Sequence, residues 1–193
     1  VGSEMCIRDS SYLQGRGLNA KIIRHFGLGC APNRWDGLLR HMRQKGYSEA
    51  ELVNANLARR SDKNGRTSCY DNFRNRMMIP IIDLRGNVIA FGGRVLDDAK
   101  PKYVNTSDTL VYKKSQAIFA LNFAKSANQG KLILAEGYMD VIAYHQAGFT
   151  NAVACLGTAL TREQARLLAR YADEVILSYD ADGAGQELSL IHI

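Results

Sequence analysis

The segment VILSYDADGAGQ, residues 175–186, places two aspartates directly after an apolar run with the length of a strand. Asp180 and Asp182 are two residues apart, so in extended backbone their side chains point to the same side. Glu136 follows a second apolar run, KLILA, and Asp140 lies about one helical turn beyond it. Clustered carboxylate oxygens are suitable ligands for Mg²⁺ or Mn²⁺. If the two strands are neighbours, the spacing predicts a divalent-cation site at one edge of a sheet.

Besides a Mg²⁺ or Mn²⁺ site, the loop could be a calcium-binding loop, a phosphatase motif or a plain turn. Counted as a calcium loop from Asp180, its fifth position is Ala184 and its twelfth is Ile191, where a calcium loop needs acidic or amide ligands, so this interpretation is rejected. A phosphatase using the first aspartate as nucleophile would carry the motif at the start of its domain, and here little chain follows it. A plain Asp-Gly turn without a ligand remains an alternative for the loop alone.

The charges are unevenly distributed along the 193 residues, although the net charge is only +6. Residues 1–130 contain 21 Lys and Arg against 11 Asp and Glu, whereas residues 131–193 contain 4 against 8. A basic part favours a polyanionic partner because binding phosphates releases counterions, and an acidic part favours divalent cations. A solvated basic surface is the simpler alternative.

The cysteines and the hydropathy pattern indicate the compartment. Cys6, Cys30, Cys69 and Cys155 form no CxxC pair, which predicts reduced thiols, with no zinc site and no disulfide. No apolar stretch approaches the roughly 18 residues that cross a bilayer, and the first residues lack a secretory signal pattern. We therefore expect a soluble, globular protein in the cytoplasm.

The elements that must position these residues follow from local patterns. Residues 12–60 have a helical pattern, with Asn19 capping a first helix and SEAE at residues 48–51 forming a capping box. Residues 77–95 have the pattern of a β-hairpin around DLRGN, and a helix is expected around residues 115–127. From Lys131 the β-α-β-α-β order, with Thr161 capping the second helix, predicts a parallel sheet with right-handed crossovers.

The change of texture and charge near residue 128 predicts a domain boundary. We expect a basic α+β subdomain over residues 11–128 and part of a parallel α/β domain over residues 129–187. Residues 1–10 and 188–193 fit no periodic element and resemble translated sequencing-adapter DNA, so we expect them to be non-native.

The motifs EGYMD and DADGAG, each after a strand, resemble the TOPRIM domain shared by primases and topoisomerases. The stretches YLQGRGL, DNFRNRMMIPIIDLRGNVIAFGGRVL and PKYVNTSDTLVYKKS stand upstream in the order seen in bacterial replicative DNA primases of the DnaG type. The resemblance extends over roughly residues 11–186. It implies an α/β fold in which an α+β N-terminal subdomain precedes a truncated TOPRIM sheet.

The resemblance also implies an activity and partners. Such primases synthesise short RNA primers from ribonucleoside triphosphates on a single-stranded DNA template, with Mg²⁺ or Mn²⁺, and act beside a replicative helicase without any membrane. The family's zinc module, its helicase-binding region and its third acidic cluster have no counterpart here. We therefore expect no zinc in this chain, and weak or no synthesis by the chain alone.

Residue roles carry over onto matching motif positions only. Glu136, Asp180 and Asp182 match the catalytic, metal-binding acids of the family, and Asp140 is a further metal-site candidate. The positions matching the nucleotide and template groove are Arg16, Arg74, Arg76, Arg94, Lys102, Asn105 and Lys114. Arginine forks and lysine ammonium groups both suit phosphate oxygens. Tyr70, Phe73 and Tyr103 lie among these cations, where they either stack on bases or belong to the core.

Two other functions stay open from the sequence. One is a different TOPRIM enzyme, a topoisomerase or a nuclease, although a topoisomerase needs a catalytic tyrosine in a separate domain. The other is a non-catalytic module that binds single-stranded DNA, whose binding should persist in chelator and weaken as salt rises. His145 has no nearby sequence partner and is expected to be a structural or surface residue.

Overall fold

The computed structural model describes residue 13 and residues 15–63, 65–127, 130–156 and 160–179. The described helices are α1 (Ala20–Phe26), α2 (Gly37–Gln44), α3 (Glu49–Asn54), α4 (Leu121–Ala124), α5 (Tyr138–Gln146) and α6 (Arg162–Leu168). The described strands are β1 (Gly29–Ala31), β2 (Ala58–Lys63), β3 (Arg66–Asp71), β4 (Arg76–Ile82), β5 (Val88–Val95), β6 (Tyr103–Asn105), β7 (Ile118–Phe119), β8 (Lys131–Ala135), β9 (Ala152–Cys155) and β10 (Glu174–Ser178).

The chain divides into two compact units whose ranges interleave. The first unit comprises residues 1–17, 23–80 and 90–112, and the second comprises residues 18–22, 81–89 and 113–193. The domain boundary near residue 128 stays a prediction. The two terminal segments expected to be non-native lie outside the described residues.

One four-stranded sheet has the order β1-β4-β5-β6. Strands β4 and β5 form the predicted hairpin, because the Asp83 carboxylate accepts the backbone N–H groups of Arg85 (2.9 Å) and Asn87 (2.8 Å) and so closes the turn. These hydrogen bonds, with the one from the Asn87 side chain, lower the pKa of Asp83. Apolar side chains at alternate positions of β4, such as Met77 and Ile79, are fully buried.

The predicted helix caps of the N-terminal part are present. Asn19 Oδ1 accepts the N–H of Ile22 at 2.9 Å ahead of α1, and Ser48 and Glu51 form a capping box at α3. The expectation of helix throughout residues 12–60 is wrong at β1, which pairs antiparallel with β4, and at residues 58–60, which begin β2. Gly27, with φ +63°, ends α1 and redirects the chain into this strand.

The second four-stranded sheet has the order β10-β8-β9-β7 and confirms the predicted parallel arrangement. The central strand β8 runs parallel to β10 on one side and to β9 on the other. Leu132 and Leu134 of β8 and Val153 of β9 are fully buried, and Leu168 of α6 joins the same core cluster. Burial on both faces explains why β8 and β9 are continuous apolar runs in the sequence.

The single helix expected around residues 115–127 is wrong in extent. Ile118 and Phe119 form β7, which pairs antiparallel with β9, and α4 is only four residues long. Between them Ala120 has φ +63°, a left-handed conformation that a continuous right-handed helix excludes. Gln164, fully buried, donates to the carbonyl oxygens of Lys114 and Ala117 and fixes the approach to β7.

Three cysteines lie within the described residues. Cys30, Cys69 and Cys155 are not joined by disulfide bonds, and burial raises the pKa of Cys155 to about 12. Cys6 lies outside the described residues. None of the described helices has the length and apolar character that crossing a membrane requires.

Candidate functional site

The carboxyl edge of the parallel sheet carries the first group of predicted residues. Ala135 of β8 is opposite Ser178 of β10, so Glu136 and Tyr179 are the next residues of two neighbouring strands. The pKa of Tyr179 is raised to about 12, mainly by burial, with contributions from Cys155 and from the negative charge of Glu136. The strand adjacency on which the predicted site depends is therefore confirmed, and Glu136 is exposed at that edge.

Asp140 has a defined structural task at the same edge. Its Oδ2 accepts the N–H of Gly137 at 3.0 Å, which satisfies a backbone donor at the start of α5. Asp180 and Asp182 lie outside the described residues. Within residues 13–179 as described, no group of three or more His, Cys, Asp and Glu side chains is arranged to hold a metal ion. The two described carboxylates nevertheless have the donor chemistry that a hard divalent cation prefers.

Two side chains of α5 tie this helix to the sheet. The hydroxyls of Tyr144 and Ser178 are 2.7 Å apart, which anchors the last residue of β10 just before Tyr179. His145 is buried, and its Nε2 lies 2.9 Å from the carbonyl oxygen of Ala152. His145 is therefore a structural residue of the sheet-helix packing.

The first unit contains an exposed aromatic platform, formed by Trp35, Tyr70 and Arg74. The Trp35 ring is 57% exposed and stacks on Tyr70, with ring centroids 4.6 Å apart and planes inclined by 26°. The Arg74 guanidinium lies 4.7 Å from the Trp35 centroid and 5.0 Å from that of Tyr70, within cation–π range of both. An open groove of about 560 Å³ lies beside Trp35 along α2.

Asp71 holds the parts of the aromatic platform together. Its carboxylate is buried and accepts the backbone N–H groups of Leu38 (2.8 Å) and Leu39 (2.9 Å), capping α2. Its own N–H donates to the carbonyl oxygen of Trp35 at 2.9 Å, and its carbonyl oxygen accepts a hydrogen bond from Arg74 Nη1. One residue of β3 thus orients both the Trp35 segment and the Arg74 guanidinium.

Arg76 and Arg94, two of the predicted groove cations, are each only 8% exposed. Arg76 donates to the carbonyl oxygens of Gly93 (3.2 Å) and Pro101 (3.1 Å), and desolvation, then the neighbouring charge of Arg74, lowers its pKa. Arg94 Nη1 donates to the Tyr103 hydroxyl at 2.6 Å. These two arginines therefore bind the strands and the following loop to one another.

The remaining predicted cations and Asn105 occupy different positions. Lys102 is exposed, and Asn105 is half-buried in β6 opposite Gly92. Arg16 is exposed in the first unit, whereas Lys114 is half-buried in the second unit. The first unit thus contains every predicted nucleotide- or template-binding residue except Lys114.

The chain matches two known protein families. Residues 3–125 match the family described as the DNA primase catalytic core, N-terminal domain, and residues 133–192 match the Toprim-like family. The chain belongs to the DNA primase catalytic core family. It is 52% identical over 180 residues to the DNA primase of Clostridium acetobutylicum and 52% identical over 182 residues to that of Deinococcus radiodurans. These alignments cover 93% of the chain but only 30% and 32% of the two relatives.

Solved primase structures share the fold. The DnaG primase catalytic domain bound to ssDNA superposes with a TM-score of 0.87 at 39% identity, covering 97% of this chain and 58% of that one. The RNA polymerase domain of Mycobacterium tuberculosis primase DnaG gives a TM-score of 0.86 at 38% identity, covering 97% and 63%. The resemblance to DnaG-type primases and the α/β fold with a Toprim part are confirmed.

In this primase-family chain, sequence reasoning missed Trp35 and Asp71 and left Phe73 open between base stacking and the core. Phe73 is 5% exposed and packs against Phe91, so it belongs to the core and cannot stack on a base. Trp35 is the single tryptophan of the chain and lies in the polar segment PNRWDG. An aromatic residue in such a polar segment is the sequence feature that could have predicted an exposed ring. Nothing local marks Asp71, because its partners are more than 30 residues away.

Proposed function

We propose that this chain is part of the catalytic core of a DNA primase that synthesises RNA primers from ribonucleoside triphosphates on single-stranded DNA. The aromatic platform carries the proposal, because it offers an exposed stacked surface and a cation in a chain of the primase family. One related structure is a DnaG primase catalytic domain bound to ssDNA, and we extend that ligand to this chain.

The platform suits a single strand that is bound without regard to its sequence. Every base has a π-face, so an exposed ring such as Trp35 stacks on any of them, at about 1–3 kcal/mol per base. Arg74 places a positive charge over the same rings, where phosphate oxygens of the strand are its natural partners. In this proposal Trp35 binds bases and Arg74 contacts the backbone of the template.

The acidic edge supplies the second part of the proposal. We assign Glu136, Asp180 and Asp182 to a Mg²⁺ or Mn²⁺ site, with Asp140 contributing there through its position at the start of α5. When bound, such an ion supplies Lewis-acid stabilisation of the charge on a transferring phosphoryl group. Glu136 contributes negative charge at an exposed strand end, where a nucleotide-bound cation has access.

The other cations take nucleotide and template roles in this proposal. Lys102 presents an exposed ammonium group, and Arg16, Asn105 and Lys114 are further candidates on matching motif positions. Arg76 and Arg94 act by holding β4, β5 and β6 in place around them. We further propose a cytoplasmic replication role and a replicative helicase as partner of the whole protein.

The test is primer synthesis by the full-length protein on a single-stranded template, followed as incorporation of labelled ribonucleotides. Glu136→Gln should lower the rate at least about 100-fold. Removing a group that only orients a metal ligand already lowers activity by up to about 100-fold, and Glu136 is proposed to be a ligand itself. The affinity of this variant for a labelled oligonucleotide should be unchanged. Trp35→Ala should instead raise the Kd for the oligonucleotide by about 10- to 100-fold, because one base-stacking contact is lost.

Mn²⁺ calorimetry on the 193-residue chain separates the alternatives. Binding that is abolished in both Glu136→Gln and Asp180→Asn places the two motifs in one site. Oligonucleotide binding that is identical with and without chelator, together with no primer synthesis, would instead identify a non-catalytic single-strand binding module. DNA cleavage or relaxation without primer synthesis would indicate another Toprim enzyme.

A further inference from the structure

We propose that one face of the β2-β3 hairpin is a second contact for the single strand, binding its phosphodiester backbone through Arg59. This inference rests on the proposed function, since it extends the strand bound at the aromatic platform. The hairpin forms a two-stranded sheet of its own, in antiparallel register from Ala58 opposite Asp71 to Lys63 opposite Arg66.

The register places Arg59 beside the aromatic platform. Arg59 is directly opposite Tyr70, and Ser61 is directly opposite Ser68. Cross-strand partners share a face and have Cβ atoms about 4.5–5.5 Å apart. The face that carries Tyr70 therefore also carries Arg59, and Trp35 stacks on the ring at the end of this face.

The two faces of the hairpin differ in charge. Side chains alternate along a strand, so Arg60, Asp62, Thr67 and Cys69 belong to the opposite face. There the Asp62 carboxylate accepts a hydrogen bond from the Thr67 hydroxyl, and its charge offsets that of Arg60 two residues away. On the Tyr70 face the described side chains include no carboxylate, and the exposed Arg59 side chain forms no ion pair with a described residue.

The chemistry of the Tyr70 face fits a phosphodiester backbone. An exposed guanidinium offers two parallel N–H donors to phosphate oxygens, and the hydroxyls of Ser61 and Ser68 are further hydrogen-bonding groups. A strand whose base stacks on Trp35 continues with its next phosphates within reach of a neighbouring side chain. Arg59 is the cation that the strand register places directly opposite Tyr70 on this face.

Arg59 and Arg60 form a matched pair for the test, because both are exposed arginines in the same strand but on opposite faces. Binding of an oligothymidylate to the 193-residue chain is measured from Trp35 fluorescence over a series of salt concentrations. Each phosphate contact contributes about −0.7 to the slope of log K against log salt for single strands. Arg59→Gln should reduce the slope by about 0.7, which corresponds to roughly fivefold weaker binding near 0.1 M salt.

The controls make each outcome decisive. Arg60→Gln should leave the slope unchanged, and Arg59→Lys should restore it because the charge is retained. Equal losses in Arg59→Gln and Arg60→Gln would show a diffuse charge effect and overturn the face-specific contact, as would an unchanged slope in both. Absence of any binding by the wild-type chain would overturn the single-strand function of the platform as well. Far-UV circular dichroism checks that the variants are folded.

Discussion

The aromatic platform of the first unit and the acidic edge of the second unit are positioned by different means. The platform depends on contacts between residues far apart in the chain, since Trp35 meets Tyr70 and both are oriented through Asp71. Glu136 is positioned by strand register, one residue beyond β8 and beside Tyr179. The proposed binding surface therefore requires specific packing between distant residues, whereas the position of the candidate metal edge follows from strand topology.

The two regions also differ in how much of their charge is accessible. In the first unit, Arg76 and Arg94 are almost buried and donate to carbonyl and hydroxyl oxygens of their own sheet. At the acidic edge, Glu136 is exposed. The excess of basic residues in the first 130 positions therefore overstates the number of cations available to a polyanion.

The largest effect is expected from Asp71→Ala, which should break the packing on which the platform depends. The buried carboxylate makes two hydrogen bonds to the start of α2, and a hydrogen bond to a charged group contributes about 1.5–3 kcal/mol. We expect the free energy of unfolding to fall by roughly 3 kcal/mol, measured by urea denaturation with Trp35 fluorescence. Mn²⁺ binding under native conditions should not change.

Asp36 is the matched control for Asp71. It occupies the N-cap position of α2 but makes no side-chain capping bond, and its carboxylate pairs with Arg40 at the surface. Asp36→Ala should therefore change the free energy of unfolding by less than about 1 kcal/mol. A loss as large as that of Asp71→Ala would contradict the assigned role of Asp71.

Two tyrosine substitutions, one in each unit, each remove a single hydroxyl and should have smaller effects. Tyr103→Phe deletes the acceptor for Arg94, and Tyr144→Phe deletes the hydroxyl that anchors Ser178 at the end of β10. Each substitution should weaken the binding of one ligand by roughly fivefold, which corresponds to about 1 kcal/mol for one lost hydrogen bond. Tyr103→Phe should weaken oligonucleotide binding, and Tyr144→Phe should weaken Mn²⁺ binding. Weaker binding of the same ligand in both variants would contradict separate roles for the two regions.

The smallest effect concerns two capping boxes that differ in charge. In α3 of the first unit, hydrogen bonds from Ser48 lower the pKa of Glu51, whereas in α6 of the second unit the corresponding residue is the neutral Gln164. A lowered folded pKa gives stabilisation that is present above the unfolded pKa and is lost as pH falls through the folded pKa. The Ser48 amide resonance should therefore titrate on acidification in an NMR series, while the Thr161 amide should not.

In that titration, Glu51→Gln serves as the control. The variant retains an acceptor oxygen for the Ser48 amide but has no carboxyl proton to bind. Its Ser48 resonance should be independent of pH over the same range. A resonance that still titrates would assign the effect to another group.

Residue types and spacing in the sequence determined the local features of this protein. They predicted the caps at Asn19, Ser48 and Thr161, the hairpin of β4 and β5, and the parallel strands that end just before Glu136 and Tyr179. Each of these depends on hydrogen bonds or apolar periodicity within a few residues, which a sequence displays directly. The break at Ala120 escaped prediction because a left-handed alanine has no local signal.

Only the tertiary structure decided which side chains meet. It brought Trp35 onto Tyr70, placed the Asp71 carboxylate under α2, and buried Arg76 and Phe73. These contacts join residues that are separated by tens of positions, and their geometry depends on how the sheet and helices pack. Periodicity identifies the buried face of an element but does not identify the residue that it packs against, and for that reason the platform could be found only in the folded chain.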